Sequence, residues 1–166
     1  MRPRRRTAYT IAASILGMYW SFGAAFAGIA DSPLPVLEAG KTTFHVYSVP
    51  AFIRTAGLST FFACTSTDSN AIRVGVEGFG PAGGAPVNDA VATSLNVPPG
   101  GMVIFGSPAV GISIDSSIGL PSRGSARILA TSRKLACTAW VADTGNAPPT
   151  SSWQLTVVKR KTQKGD

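Results

Sequence analysis

Two cysteines, Cys64 and Cys137, are the residues of this sequence with the most defined chemistry. They are separated by 73 positions, and each stands in a run of apolar and β-branched residues. A zinc pair would need closer spacing or histidine partners, and the chain has 1 histidine. A reactive thiol would need a basic, exposed setting, whereas Ala63 and Ala136 precede the two cysteines. We therefore predict a structural disulfide, with a reduced pair in the core as the alternative.

The histidine and the carboxylates are the other side chains suited to acid–base chemistry. His45, in the run TTFHVYS, has no carboxylate or second metal ligand near it in the sequence, so we interpret it as a half-exposed strand residue. No two of the 8 acidic residues are close neighbours in the sequence. Glycosidase chemistry needs two carboxylates at one cleft, and Glu77 with Asp115 is the pair considered. The sequence therefore predicts a non-enzymatic chain with no catalytic, cofactor-binding or metal-binding residues.

Two polar pairs suit either a calcium loop or ordinary turns. They are Asp68 with Asn70, and Asn88 with Asp89. Oxygen ligands in turns suit calcium, but the sequence has no patterned acidic loop, and Asn and Asp favour turns by themselves. We interpret both pairs as turn residues.

Phe61 and Trp140 are candidate contacts for a ligand because of their place in the period-two pattern. Residues an odd number apart in a strand face opposite sides, so Phe61 faces away from Cys64 and Trp140 away from Cys137. Aromatic rings on an exposed sheet face can stack on sugars or anchor a protein partner. These two positions are candidate exposed contacts, although we favour the alternative. The alternative is that a loop, the N-terminal segment or a further strand covers them.

The elements that must position these residues are short β-strands. From Lys41 onward the hydrophobic pattern has a period of two, with Gly, Pro, Asn and Ser between the runs. The predicted fold is all-β, a single antiparallel two-sheet sandwich. The predicted strands are Thr42–Val49, Leu58–Ser66, Ala71–Phe79, Ala92–Val97, Met102–Phe105, Gly111–Asp115, Ser125–Thr131, Leu135–Asp143 and Ser152–Lys159.

The same alternation places both cysteines on the core side of their strands. We expect the disulfide to join the two facing sheets of the sandwich. Closing a loop of this length stabilises a domain by about 4 kcal/mol on the chain-entropy model. The residues predicted to share these core faces are Thr60 and Phe62 beside Cys64, and Leu135, Ala139 and Val141 beside Cys137.

The N-terminus has the features of an export signal. Arginines precede an uncharged run that ends at Ala30, and Ala25 and Ala27 are the small residues that a signal peptidase reads. We predict a signal peptide cleaved after Ala27, with an uncleaved membrane anchor as the alternative. The predicted organisation is a signal peptide over 1–27, a proline-containing lead-in over 28–40, a β-sandwich domain over 41–159 and a basic tail over 160–166.

The formal net charge of +7 comes mainly from the two ends of the chain. Beyond residue 27, eleven basic against eight acidic side chains leave a charge of +3, and four of the basic ones lie in the closing run KRKTQKGD. The body is nearly neutral, so the composition does not indicate specific nucleic-acid binding. We expect the tail to be a solvated terminus, with contact to an anionic partner as the alternative.

Two resemblances add to this interpretation. A cysteine in an early strand paired with one in a late strand resembles the immunoglobulin-like fold, although the Trp expected after the first cysteine is missing from AIRVGVEGFG and Leu135 replaces the expected Tyr. The runs FFACTSTDSNAIRVGVEGFGPAGG, LNVPPGGMVIFG and SARILATSRKLACTAWVAD resemble exported bacterial proteins of unassigned function. This second resemblance implies no activity and no catalytic residues.

We therefore expect an exported, non-enzymatic binding or structural module, periplasmic or secreted, that needs no cofactor. Its expected partner is envelope polysaccharide or another protein, with membrane contact only through an uncleaved N-terminal segment. The alternatives are a small secreted hydrolase built from scattered Asp, Glu and His45, and a subunit of an assembly formed by edge-strand pairing.

Overall fold

The computed structural model describes residues 28–161, and nearly all of its regular elements are strands. The signal peptide predicted over 1–27 and the last residues of the basic tail lie outside this range. The elements are β1 (Phe44–Ile53), β2 (Leu58–Ser66), β3 (Ile72–Phe79), α1 (Ala90–Thr93), β4 (Leu95–Val97), β5 (Met102–Gly106), β6 (Ser116–Ser117), β7 (Arg123–Ala130), β8 (Leu135–Asp143), β9 (Ser152–Leu155) and β10 (Val158–Lys159).

The strands form two five-stranded sheets that pack against each other. Sheet 1 has the order β10-β1-β7-β3-β4, and sheet 2 has the order β6-β5-β2-β8-β9. Every strand pair is antiparallel except β5 with β6. The predicted all-β, two-sheet sandwich is therefore confirmed.

The core forms where the inward faces of the two sheets meet. Burying a large apolar side chain contributes about 1.5–3 kcal/mol, and branched and aromatic residues suit the pleated surface. One buried cluster joins both sheets; it includes Val49, Val74 and Ile128 from sheet 1 and Phe62 and Phe105 from sheet 2. The period-two pattern of the sequence is thus the pattern of core burial.

The disulfide between Cys64 and Cys137 is present, and it lies inside one sheet. The two residues are direct partners in the register of β2 and β8, with their Cα atoms 4.2 Å apart. That separation is typical of a pair without mutual backbone hydrogen bonds, where side chains of neighbouring strands come closest. The prediction that the bond joins facing sheets is wrong. The alternation shows which face a residue occupies, but it does not show which strands are neighbours.

The lead-in lies across the outer face of sheet 1. Arg127 of β7 donates hydrogen bonds to the carbonyl oxygens of Ser32 and Pro33, both at 2.9 Å. Further along the lead-in, Leu37 packs in a small apolar cluster with Ala90 and Leu129. The lead-in, which has no strand of its own, therefore covers the second face of sheet 1 around Arg127 and Leu129.

The observed elements differ from the predicted ones in three places. No strand forms over Gly111–Asp115, and only Ser116–Ser117 pairs, in parallel, with the end of β5. A short helix begins before β4 because the Asp89 carboxylate accepts the backbone N–H groups of Val91 and Ala92. The last predicted strand is divided into β9 and β10, one in each sheet. Within residues 28–161, no helix is long and apolar enough to cross a bilayer.

Candidate anion-binding cleft

The two candidate aromatic contacts are not a free surface. Phe61 is fully buried and Trp140 is half-buried, and their rings stack at 5.5 Å between centroids. A side chain at Gly106 would collide with the Phe61 ring, so the ring packs over the backbone of β5. The candidate exposed contact at Phe61 is therefore wrong, and the favoured alternative, a covered ring, is the one observed. The alternation placed both rings on one face correctly, but it gave no information about the neighbours that cover it.

An exposed aromatic that the sequence analysis did not single out is Trp153. It lies on the short edge strand β9, opposite Val141, with 56% of its surface exposed. Its register partner Val141 is buried, whereas most of the Trp153 surface is open to solvent. Little in the sequence indicated that Trp153 is exposed. Its strand has only four residues, which are too few for the period-two pattern to show which side faces the core.

A cavity of about 640 Å³ opens at the end of the sandwich where β1 begins and β7 ends. We call it the cationic cleft. Four separate segments contribute to it: the lead-in, the start of β1, the β7–β8 turn and the chain after β10. The lining residues are Leu34, Thr42, Thr43, Phe44, His45, Arg133, Arg160 and Lys161.

The charges of the cleft all have one sign. Arg133, Arg160 and Lys161 are cationic, and none of the lining residues is a carboxylate. The Arg133 guanidinium lies 4.6 Å from the centre of the Phe44 ring, so it has an aromatic support as well as a charge. Clefts with walls of low dielectric and charges of one sign concentrate the field and attract ions of the other sign. The cleft is therefore built to accept negative charge.

His45 fixes one of these cations in place. An Arg160 N–H donates to His45 Nδ1 at 3.0 Å, and His45 Nε2 lies 2.9 Å from the hydroxyl oxygen of Ser48. Because a guanidinium can only donate, Nδ1 must be the acceptor, and the neutral ring therefore carries its proton on Nε2. The same Arg160 nitrogen reaches the carbonyl oxygen of Ala30 at 3.5 Å. His45 thus positions Arg160 between the cleft and the lead-in.

The environment of His45 opposes its protonation. Burial, as the largest cause, and the positive charges of Arg160 and Arg127 together lower its pKa from 6.5 to about 4. The residue is buried, at 8% exposure, and the expectation of a half-exposed strand histidine is wrong. The ring is therefore a neutral hydrogen-bond acceptor at physiological pH, and not a general acid.

Acidification is expected to weaken the fold through His45. Between pH 6.5 and pH 4 the unfolded chain binds a proton at this residue and the folded chain does not, so stability falls as the pH falls. Urea unfolding should give a free energy lower by up to about 2 kcal/mol at pH 5 than at pH 7. His45→Gln should remove most of this difference, because the chain has 1 histidine. An unchanged pH dependence in that variant would contradict the assignment.

The carboxylates of the described chain are dispersed among separate turns and pairs. Asp68 accepts hydrogen bonds from the Asn70 backbone and the Ser132 hydroxyl, while Asp143 binds the turn that follows β8. These contacts lower the pKa of both groups. Within residues 28–161, no three His, Cys, Asp or Glu residues form a group suited to a metal ion. Glu77 lies in sheet 1 and Asp115 beside the edge of sheet 2, so they face no common cleft.

The turn interpretation is confirmed for Asp68 with Asn70, whereas Asn88 bonds to strand β3 and Asp89 caps a helix. Asn88 accepts a hydrogen bond from the Gly78 N–H and donates one to the carbonyl oxygen of Val76, while Asp89 caps α1. Asp68 and Asn70 form the turn described above.

Comparison with known proteins gives no match. No family model, no curated protein and no solved structure is significantly similar to the chain. The function must therefore be inferred from the geometry of residues 28–161.

Proposed function

We propose that the protein is an exported, non-enzymatic binding domain that takes an acidic polysaccharide of the cell envelope into its cationic cleft. The observation that supports this most strongly is the lining of that cleft, with three cations, two threonines and no carboxylate around one cavity. Cavities of ~300–1,000 Å³ accommodate ligands of a few rings. Uronic-acid or phosphate groups would meet the cations, and the threonine hydroxyls can bond to sugar hydroxyl groups.

A polysaccharide fits better than a nucleic acid because the positive charge is local. The chain beyond residue 27 has a formal charge of only +3, and the cations of the cleft occupy one end of the molecule. Nucleic-acid binding usually depends on an extended basic stripe that follows many phosphates. A short acidic segment of a glycan needs no such stripe.

Two features support export, a disulfide and a hydrogen bond at Gly28. A buried disulfide is typical of proteins that fold in oxidising compartments. The Gly28 nitrogen lies 2.6 Å from Asp31 Oδ1. Cleavage after Ala27 would convert that nitrogen into an ammonium group beside a carboxylate, a strong charge-assisted hydrogen bond.

The two alternative functions, a small hydrolase and a subunit that assembles by edge-strand pairing, have no supporting contact among the described residues. A hydrolase needs converging carboxylates, whereas Asp68, Asp143 and Glu77 of the described residues bond in two separate turns and a buried ion pair. Assembly by edge pairing favours long, open edges, and the edge strands β4, β6, β9 and β10 contain two to four residues. The immunoglobulin-like resemblance stays a prediction of architecture, since the disulfide lies within a sheet.

An acidic oligosaccharide should bind to the cationic cleft, and a neutral one should not. We expect a uronic-acid oligosaccharide to shift the backbone NMR signals of Thr42 to His45, and a neutral one of equal length to leave them unchanged. Lys161→Gln should weaken binding about fivefold, the value of one exposed charge pair of about 1 kcal/mol. Arg123→Gln removes the same charge at the far end of β7 and should have no effect.

The salt dependence of oligosaccharide binding is a second test of the proposal. Screening should reduce the affinity steeply between about 0.05 M and about 0.5 M sodium chloride, because the Debye length falls over that range from about 14 Å to about 4 Å. Equal binding of acidic and neutral oligosaccharides, or equal losses in the two variants, would contradict the proposal.

A further inference from the structure

A second cavity, of about 370 Å³, lies at the opposite end of the sandwich from the cationic cleft. The ten-residue strand β1 begins at the cleft and ends at this cavity, so the two are on the order of 30 Å apart. The cavity lies where the β1–β2 turn meets the chain leaving β5, β6 and β8. We call it the serine cavity; its lining is Arg54, Thr55, Ala56, Ser59, Ser107, Pro108, Ser117, Ile118, Gly119 and Thr144.

Two serines that line this cavity carry hydroxyl groups with no partner among the described residues. The Oγ atoms of Ser59 and Ser107 are buried and make no hydrogen bond, and Ser59 as a whole is only 2% exposed. A buried hydroxyl without a partner costs roughly 1–3 kcal/mol, so proteins rarely leave two of them at one place. Both belong to one cavity, which points to a group inside it as their partner.

The charge of the wall indicates the chemistry of that group. Arg54 contributes the only formal charge of the lining, and one of its N–H groups donates to the Leu120 carbonyl oxygen at 2.8 Å. That bond anchors a planar guanidinium with further donors in a fixed orientation. The remaining polar residues of the lining are hydroxyl-bearing, and none is a carboxylate. A cation with several hydroxyl donors is the arrangement that binds a carboxylate or phosphate group.

We propose that the serine cavity binds a small molecule through an oxyanion group, a carboxylate or a phosphate. Arg54 supplies the charge, and the hydroxyls of Ser59 and Ser107 donate to the anion oxygens. This site is separate from the cationic cleft, and it takes a small ligand where the cleft takes a polymer. Its existence does not depend on the proposed function.

Sodium acetate and sodium phosphate are suitable probes, each titrated into the oxidised protein at pH 7 and compared with sodium chloride at equal ionic strength. We expect saturable shifts of the backbone NMR signals of Ala56, Ser59 and Gly119 with at least one of the two anions. The anion that binds identifies the group as carboxylate or phosphate. Lys161→Gln should leave this titration unchanged, so failure at the cleft and failure at the cavity can be told apart.

Variants of the wall test the assigned contacts. Ser59→Ala should weaken binding about tenfold, the effect of losing one hydrogen bond to a charged group, and Ser113→Ala in the exposed β5–β6 connection should have no effect. Arg54→Lys, which keeps the charge, should weaken binding less than Arg54→Gln at equal thermal stability. No saturable shift with either anion, or unchanged binding by Ser59→Ala, would overturn the proposal and leave ordinary hydration as the partner of both hydroxyls.

Discussion

Replacement of Arg127 by methionine is expected to destabilise the fold by about 3–5 kcal/mol, because it leaves the Glu77 carboxylate buried without its counter-charge. The two residues are direct partners in the register of β3 and β7, and they are 1% and 4% exposed. The Arg127 Nε–H donates to a Glu77 carboxylate oxygen, and the guanidinium lies 5.1 Å from the centre of the Phe79 ring. Its other N–H groups bind the lead-in.

The loss of stability in Arg127→Met should depend on pH. Burial raises the pKa of Glu77, and the hydrogen bond and charge of Arg127 act against that rise. Without Arg127 the pKa rises further above the unfolded value, so the penalty is fully present above the folded pKa and disappears as Glu77 binds a proton. Urea unfolding should therefore show a smaller difference between variant and wild type near pH 4.5 than at pH 7.

A double variant, Glu77→Leu with Arg127→Met, is the matched control. It removes both charges, so it should be more stable than Arg127→Met alone, by about 2 kcal/mol. Both variants lose the hydrogen bonds to Ser32 and Pro33, so proteolysis should cut the lead-in faster in both. A double variant that is no more stable than the single one would show that the lost contacts to the lead-in, and not the buried carboxylate, cause the instability.

Removal of the disulfide is the second large effect. A Cys64→Ala, Cys137→Ala double variant is expected to lose about 4 kcal/mol, because the bond closes a loop over a separation of 73 residues in the unfolded chain. Both residues pack against the core, and Cys64 is fully buried, so the alanines add a small cavity cost of the same sign. Urea unfolding of the oxidised protein and the variant measures the difference.

Chemical reduction of the wild-type protein provides the control for this experiment. Reduction opens the loop and keeps both sulfur atoms in the core, so it should reproduce most of the loss seen in the double variant. A loss below about 1 kcal/mol on reduction would mean that the neighbouring strands β2 and β8 stay close together in the unfolded chain, and that the loop argument fails.

Strand positions and the cysteine pairing were predictable because they depend on local pattern. Alternation in the runs around Cys64 and Cys137 identifies two strands with core faces. Because the chain has 2 cysteines, only one intramolecular pairing is possible. Which strands lie next to each other in a sheet could not be predicted. The sequence does not show that β2 and β8 are adjacent, so the disulfide was assigned to the wrong geometry, and Phe61 could be named only as a candidate contact.

The candidate site was harder to predict than the fold because its parts are distant in the chain. Leu34, His45, Arg133 and Lys161 belong to four segments that only the assembled sandwich brings together. Each taken alone is an ordinary surface or strand residue. The ion pair between Glu77 and Arg127 is a similar case, since the register of β3 against β7 decides it and no local pattern specifies that register.

Intact-mass spectrometry of the protein recovered from its native compartment, after alkylation without reduction, tests export and oxidation together. We predict a chain that begins at Gly28, carries no alkyl group, and is two hydrogen atoms lighter than its reduced form because Cys64 and Cys137 are joined. A full-length chain found inside the cell with two alkylated cysteines would contradict the account of an exported, disulfide-bonded binding domain.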